Sequence, residues 1–306
     1  MDRETLLCAT AEFSENSPTN YLQPPLPADA TQPELAENFA RNNLQGGKGS
    51  SADLDAAKEP QYVGMRFFLP PLIGIAAADD AGFETLKSPG VVGPHHRSPR
   101  EWLPEARVVL TMFLPFTDRV ITSNTSDPVQ PSMEWLFARA DGQIHLMAMA
   151  AMVCDMLTAA GYRVVTPQTD ARYHLKASVA QADAPIPMYS SNWSERHVAV
   201  LAGIGTFGLS TNIISHRGTC GRIVSVITDW ETTPDGRASE DIYGFCSRCR
   251  ACFRACPAGA LGEDGSDKKD IGRCAEFIGS ICRKFAPRYG CGKCLSGIPC
   301  QTSPCL

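Results

Sequence analysis

Residues 243–261 read YGFCSRCRACFRACPAGAL, four cysteines at short fixed spacing with a proline directly after the last. The pattern Cys246-x2-Cys249-x2-Cys252-x3-Cys256-Pro257 is the run by which two-cluster bacterial ferredoxins hold a [4Fe–4S] cubane. Two-residue gaps let three thiolates converge on neighbouring irons, while loop backbone N–H groups face the sulfides. The fourth cysteine of such a run ligates the other cluster, so a second group must follow. Cys274, Cys282, Cys291, Cys294, Cys300 and Cys305 do follow, and GCGKC at 290–294 supplies another C-x2-C. A zinc site pairs two knuckles into one tetrahedron and has no use for three consecutive steps ending in Cys-Pro. A disulfide framework belongs to small secreted chains, and this chain has 306 residues. The ferredoxin crossover gives Cys246, Cys249, Cys252 and Cys300 to one cluster, and Cys256, Cys274, Cys291 and Cys294 to the other. Cys282 for Cys274, and Cys305 for Cys300, stand as alternatives.

Length suggests two domains, and a hydrophobic content of 43% is ample for a core. The net charge of −5 is uneven: from Cys246 onward ten Lys/Arg face five Asp/Glu, so that region carries +5 and the rest −10. A basic surface over clusters suits an acidic electron donor such as ferredoxin or flavodoxin; a solvated basic face is the plainer reading. An acidic whole does not favour nucleic acid, although the basic patch leaves tRNA open. The N-terminal MDRETLLCATAEF has no apolar signal core and no twin arginine. The longest apolar segment, 144–160, contains His145 and Asp155 and closes at Gly161, which reads as a buried helix and not a membrane span. Thirteen cysteines without an export signal point to a reducing cytoplasm.

Residues 1–60 read as a polar N-terminal extension or linker, with ten Asp/Glu against four Lys/Arg; PELAENFARNN (33–43) suggests a helix there and LQGGKGSSADLD (44–55) a loop. ARVVLTMFLP (106–115), YRVVTP (162–167) and GRIVSVITD (221–229) read as strands, while 134–161 and ERHVAVLAG (195–203) read as helices. That alternation predicts an α/β or α+β domain over 61–238 and a compact cluster domain over 239–306.

AGIGTFG (202–208) matches G-x-G-x-x-G, but a dinucleotide loop needs a strand before it and a helix after it. Here a helical segment precedes and extended TNIIS (211–215) follows, so the glycines read as letting backbone approach some other large cofactor. SNWSERHVAVLAGIGTFG (191–208), GRIVSVITDWE (221–231), the cysteine run and RCAEF (273–277) together resemble the epoxyqueuosine reductases and, more distantly, the cobalamin-dependent reductive dehalogenases. The resemblance covers about residues 62–306. It implies a nitroreductase-like corrinoid domain followed by a ferredoxin-like domain with two [4Fe–4S] clusters. It also implies base-off cobalamin held around Ser194, Glu195, His197, Gly203, Gly205, Thr206, Phe207 and Gly208, and reduction of a small-molecule substrate. Two positions depart from the family pattern. Gly208-Leu209-Ser210 stands where relatives carry Gly-Lys-Asn, and an ungapped count puts Tyr189 where they carry the proton-donating aspartate.

The resemblance thus implies Tyr189 as proton donor with Arg196 as its cationic neighbour; Asp183 is the nearby alternative. A different class of function is an electron carrier, or a corrinoid-handling protein, with no substrate of its own. His197 reads as a structural histidine or a cofactor contact, and His95-His96 as a pocket mouth. Met147, Met149, Met152 and Met156 read as core packing. Cys8, Cys154 and Cys220 read as free thiols.

Overall fold

The computed structural model describes residues 1–23, 60–176, 189–262, 269–285 and 288–305. At its centre is a four-stranded antiparallel sheet of β1 (Leu72–Ala77), β2 (Val108–Pro115), β3 (Val164–Val165) and a last strand, Gly221–Thr228, in the order β1, β2, last strand, β3. β2 is buried at every position, because both faces of the sheet are covered. Val108, Leu110, Met112 and Leu114 belong to one apolar cluster, and Val109 and Phe113 to the other, the period of two that a pleated strand imposes. The register pairs Val108 with Thr228 and Pro115 with Gly221.

On the first face lie α1 (Arg3–Asn16) and two helices of the segment 133–159. The second face carries α2 (Ala81–Leu86) and the one-turn helix α3 (Pro99–Trp102), with a short helix beginning at Glu195. After β2 come α4 (Asp118–Ser123), α5 (Met133–Ala140) and α6 (Gly142–Ala159). By composition the stretch Met133–Ala159 is long and apolar enough to cross a membrane. In the fold it is two helices meeting at Asp141, and Leu146, Met149, Val153 and Leu157 are packed into the first cluster. The methionines at 147, 149, 152 and 156 pack there too.

The reading of 1–60 as an extension needs correcting over its first residues. α1 docks on the body: Leu6, Thr10 and Ser14 are buried along one stripe. Arg3 forms a two-pronged ion pair with Asp235 at 2.7 and 2.8 Å, and Trp230 Nε1 donates to Met1 O at 3.2 Å. Two of the three buried positions are polar, which hid the stripe from a hydrophobic reading. The segments at 33–43 and 44–55 lie outside the described residues.

Two short ladders complete the second half. β4 (Leu175–Lys176) pairs with β5 (Ser190–Ser191), and β6 (Gly205–Phe207) pairs with β7 (Ile213–Ser215). The helix α7 (Glu195–Leu201) precedes β6, and β8 (Gly221–Thr228) closes the central sheet. The cysteine-rich region contains α8 (Ala251–Arg254) and α9 (Ile271–Phe285). Its described residues carry isolated bridges, Cys246 with Cys305 and Leu261 with Lys269, and no named strand.

Candidate functional site

The cysteine-rich region is moored to α4 and α5 by polar ties. Lys293 Nζ donates to the carbonyls of Asn124 and Asp127, both at 2.6 Å. Asn124 Nδ2 donates to Cys291 O at 3.1 Å. Arg288 pairs with Asp141 at 3.0 Å and lies over the Phe137 ring at 4.2 Å. Burial pushes the Asp141 carboxyl up in spite of Arg288; the desolvation of this pair outweighs its attraction. Gly292, inside GCGKC, has φ +70°, and a Cβ there would meet Trp135 at 2.0 Å. Only glycine lets the thiol loop lie against that indole.

This mooring creates two cysteine-lined spaces. The smaller one is lined by Cys246, Cys249, Cys252, Cys300 and Cys305. Cys300 is pushed up to about 12, by burial and then by Cys246, Cys252 and Cys249, so its sulfur faces those three. Cys305 lies at the edge and accepts from Ser247 Oγ at 3.1 Å. Arg248 and Arg250, between the cysteines, have φ 55° and 56°, left-handed conformations of the kind from which backbone N–H groups form anion-binding nests.

The larger space, about 310 Å³, is lined by Cys256, Cys274, Cys291 and Cys294 on one side. Burial pushes Cys291 to about 12, with Cys294, Cys274 and Cys256 adding to the rise. Asn212 Nδ2 is 3.8 Å from Cys294 Sγ. Cys282 lines neither space. Cys220 is buried between the two sets, donating to Leu295 O at 3.1 Å, with Cys300 and Cys294 as its charged neighbours. Among the described residues no three His, Cys, Asp or Glu side chains are arranged to hold a single metal ion.

The wall opposite the larger thiol set comes from the α/β body. Arg139 ends α5, Arg196 is in the first turn of α7 beside Glu195, and Arg222 is near the start of β8. Arg222 donates to Arg139 O at 2.5 Å and to Gln143 Oε1. Burial, then Arg139, pulls its guanidinium down to about 9. Arg139 lies over the Tyr289 ring at 4.7 Å. Arg196 is exposed and lines this cavity; the protein around it still desolvates it and lowers its guanidinium. The Glu195 carboxylate does not pair with any of them: Ser225 Oγ donates to Oε2 at 2.8 Å and Gln168 Nε2 to Oε1 at 2.9 Å. Burial outweighs these bonds and raises Glu195 to about 7.

The other residues singled out in the sequence are divided. Of the loop positions, Glu195 and Arg196 line the cavity. Ser194 Oγ bonds His197 Nδ1 at 2.7 Å, and His197 packs on Phe207 with centroids 4.9 Å apart. Burial, then Arg196, lowers His197 to about 4. The glycines are packed on the chain itself. A Cβ at Gly203 (φ +76°) would meet Gly236 O at 2.3 Å, at Gly205 Ile214 O at 2.0 Å, and at Gly208 the Ile214 side chain at 3.0 Å. Thr206 Oγ1 accepts from Phe245 N at 2.9 Å, so this hairpin braces the start of the cysteine run. Tyr189 is not among the cavity walls. It has φ +60° at the entry to β5, where its N–H bonds Lys176 O; Asp183 lies outside the described residues. His95 Nε2 is 2.8 Å from Ser190 Oγ. His96 stacks on Trp193 at 5.7 Å and is lowered to about 4, chiefly by burial.

Arg139, Arg222, Gln168 and Tyr289 escaped the sequence reading, since only the fold brings them together. Arg222 alone left a trace, a cation in an otherwise apolar strand.

These observations define a mixed α/β chain with two thiol-ringed spaces, the larger one shared with a cationic wall. No protein-family profile matches the chain. Over 72 residues it is 36% identical to the tetrachloroethene reductive dehalogenases of Desulfitobacterium hafniense and Dehalobacter restrictus, a match spanning 23% of this chain and 13% of theirs. Among solved structures, a selenomethionine-labelled epoxyqueuosine reductase aligns with 75% of this chain and 61% of its own, at TM-score 0.49 and 21% identity. A catabolic reductive dehalogenase aligns with 99% of this chain and 37% of its own, at TM-score 0.49 and 14% identity. The chain therefore resembles both groups while spanning less than two thirds of each.

Proposed function

We propose that this protein is a cytoplasmic iron–sulfur reductase that passes single electrons through two [4Fe–4S] clusters to a small molecule held beside the second. The observation that carries the reading is the larger cavity, where four cysteines face three arginines and a carboxyl raised to about 7. An all-sulfur donor set suits iron–sulfur cores. The residues fit the cubanes as Cys246, Cys249, Cys252 and Cys300 around one and Cys256, Cys274, Cys291 and Cys294 around the other. None of the thirteen cysteines is in a disulfide, which accords with a reducing compartment.

Among the described residues the corrinoid that the resemblance implies finds no built cradle. A space of about 310 Å³ is at the bottom of the range for a drug-sized ligand; a corrinoid with its nucleotide tail is several times larger, and the second cubane must share that space. The glycines expected to cradle the tail are filled by the chain's own atoms. No step is routed through cobalamin.

When bound, the cubanes supply electrons one at a time. Asn212, Arg196 and Lys269 place hydrogen-bonding or positive groups beside Cys294, which favours added negative charge there. Reduction of a substrate double bond takes two electrons and two protons, one from a positioned acid and the other from water. Glu195, half protonated at about 7, is matched to hand a proton over near neutrality, and Ser225 and Gln168 hold its carboxyl in place. Glu195 replaces Tyr189 as proton donor in this reading, because it lines the cavity and Tyr189 does not. The electrons come from an acidic ferredoxin or flavodoxin docking on the basic cysteine region. The carrier reading lacks a use for the second cavity and its carboxyl.

Anaerobic reconstitution with iron and sulfide, followed by hydroxocobalamin, tests the reading. It should give about eight irons per chain and no corrinoid uptake. One cobalamin per chain would overturn the exclusion of the corrinoid, and about four irons or fewer the two-cluster assignment.

A further inference from the structure

Five thiols line the smaller space, Cys246, Cys249, Cys252, Cys300 and Cys305, and a [4Fe–4S] cubane takes four. Cys300 answers electrostatically to Cys246, Cys252 and Cys249, which completes the set without Cys305. Cys8, Cys154, Cys220 and Cys282 line neither space. Among the described residues Cys305 is therefore the spare thiol at a cluster position.

Cys305 is also paired with one particular ligand. Its segment runs parallel to the start of the cysteine run, with Cys246 and Cys305 as bridge partners. Cys305 N donates to Phe245 O at 3.2 Å, and Ser247 Oγ donates to Cys305 Sγ at 3.1 Å. Backbones paired in this way lie about 4.8 Å apart, with partnered side chains on one face. That spacing is within the range of about 4.4–6.8 Å over which two Cα atoms accept a disulfide. Both residues border the same space.

We infer that Cys246 and Cys305 form a reversible disulfide when oxygen strips the first cubane, latching the emptied loops together. The first set is the one an oxidant meets: Cys249 is exposed, whereas the other seven assigned ligands are half-buried. Dioxygen removes an electron from the cubane and becomes superoxide. The oxidised core sheds its iron and sulfide, and the thiolates left behind take up protons. A second dioxygen then accepts one electron and one proton from each of Cys246 and Cys305, leaving as hydrogen peroxide while the S–S bond forms. A bare thiol in that position climbs to sulfinic acid, which thiol reductants do not reverse; a disulfide they do. The bond encloses residues 247–304, and a cross-link restrains the unfolded chain most when its loop is long. Transient, redox-responsive disulfides are the kind that a reducing compartment allows. The inference rests on the two-cluster reading and adds that site's response to oxygen.

The experiment exposes the reconstituted protein to air, denatures it in N-ethylmaleimide and digests it with trypsin. Peptide 238–248 holds Cys246 as its one cysteine, and 294–306 holds Cys294, Cys300 and Cys305. Mass spectrometry should find these two joined, with fragment ions placing the bond at Cys305. A thiol reductant, then iron and sulfide under nitrogen, should return the air-exposed parent to about eight irons per chain. Cys305→Ser should load about eight irons beforehand, lose the joined peptide, and return to only about four after air. No Cys246–Cys305 bond in the parent, or equal recovery in parent and variant, overturns the latch while leaving the clusters standing. Freshly loaded Cys305→Ser at about four irons makes Cys305 a ligand and overturns it too. Iron far below about eight in the freshly loaded parent overturns the two-cluster reading on which the latch rests.

Discussion

The sheet-based body and the cysteine-rich region are held by different forces. The body has two apolar clusters, one on each face of a sheet whose middle strand is wholly buried. Among the described residues from 239 onward few apolar side chains are buried, chiefly Phe245, Leu261, Ile281 and Ile298, and α9 contributes Ile281 alone. In place of a core that region has polar moorings and ten thiols. A segment with so little apolar burial does not offset its chain entropy unaided; bound metal can supply the difference, because metal binding is then folding free energy. The body should fold as a protein, and the thiol region as a complex.

The sharpest way to break this contrast is to withhold iron. The metal-free chain should keep slow amide exchange in β1, β2 and β8 while residues 239–305 exchange rapidly. Equal protection in both regions would show that the thiol region needs no metal. Cys256→Ser should cut iron to about four per chain and loosen the same region.

Next in size is the proton. Glu195→Gln should lower turnover about 10²–10⁴-fold, the usual loss on removing a general acid, with iron content kept. A general acid must be protonated, so activity should fall as pH rises through about 7, and that limb should vanish in the variant. For stability the sign follows the raised pKa: the unfolded carboxyl ionises first, so this group's contribution to stability declines as pH rises from 4.5 toward about 7. A Tyr189→Phe variant with equal loss would return the donor role to the tyrosine.

The mooring between the regions is the third target. Arg288→Gln leaves Asp141 buried and unpaired, at a cost of about 3–5 kcal/mol, read from denaturation of the loaded protein. Adding Asp141→Asn should recover most of that loss. If the single variant melts like the parent, the two regions are not tied through this pair.

The smallest effect expected is none. Cys282→Ser and Cys305→Ser should leave iron near about eight per chain. Loss of iron in either would reassign a ligand. Cys305 is the sterner test because it borders the smaller space.

What could be read from the sequence tracks this same division. The strands at 108–115 and 221–228 were legible as β-branched apolar runs, and α6 as a long apolar helix, since burial on a sheet leaves periodicity in the chain. α1 was not, because its inward stripe is Leu6, Thr10 and Ser14. β3 was read as six residues and is two. Cysteine spacing is a local signal, so the thiols could be grouped on paper. The cationic wall could not, since Arg139, Arg196 and Arg222 come from α5, α7 and β8 and share no sequence pattern. The glycine loop has a packing role of its own: Gly203 caps α7, and Gly205 and Gly208 let β6 and β7 approach closely, so packing alone is enough to require these glycines.

The pairing of β2 with β8 has a consequence in time. These strands form the middle of the sheet, yet residues 116–220 separate them, and contacts between such distant segments are slow to form. During synthesis β2 must wait, one edge unpaired, until β8 has emerged. The first cysteines follow within twenty residues of β8's end. The chain's most aggregation-prone interval and the arrival of its thiols therefore coincide, so a cell short of chaperone or of iron at that moment would lose the protein at the same step.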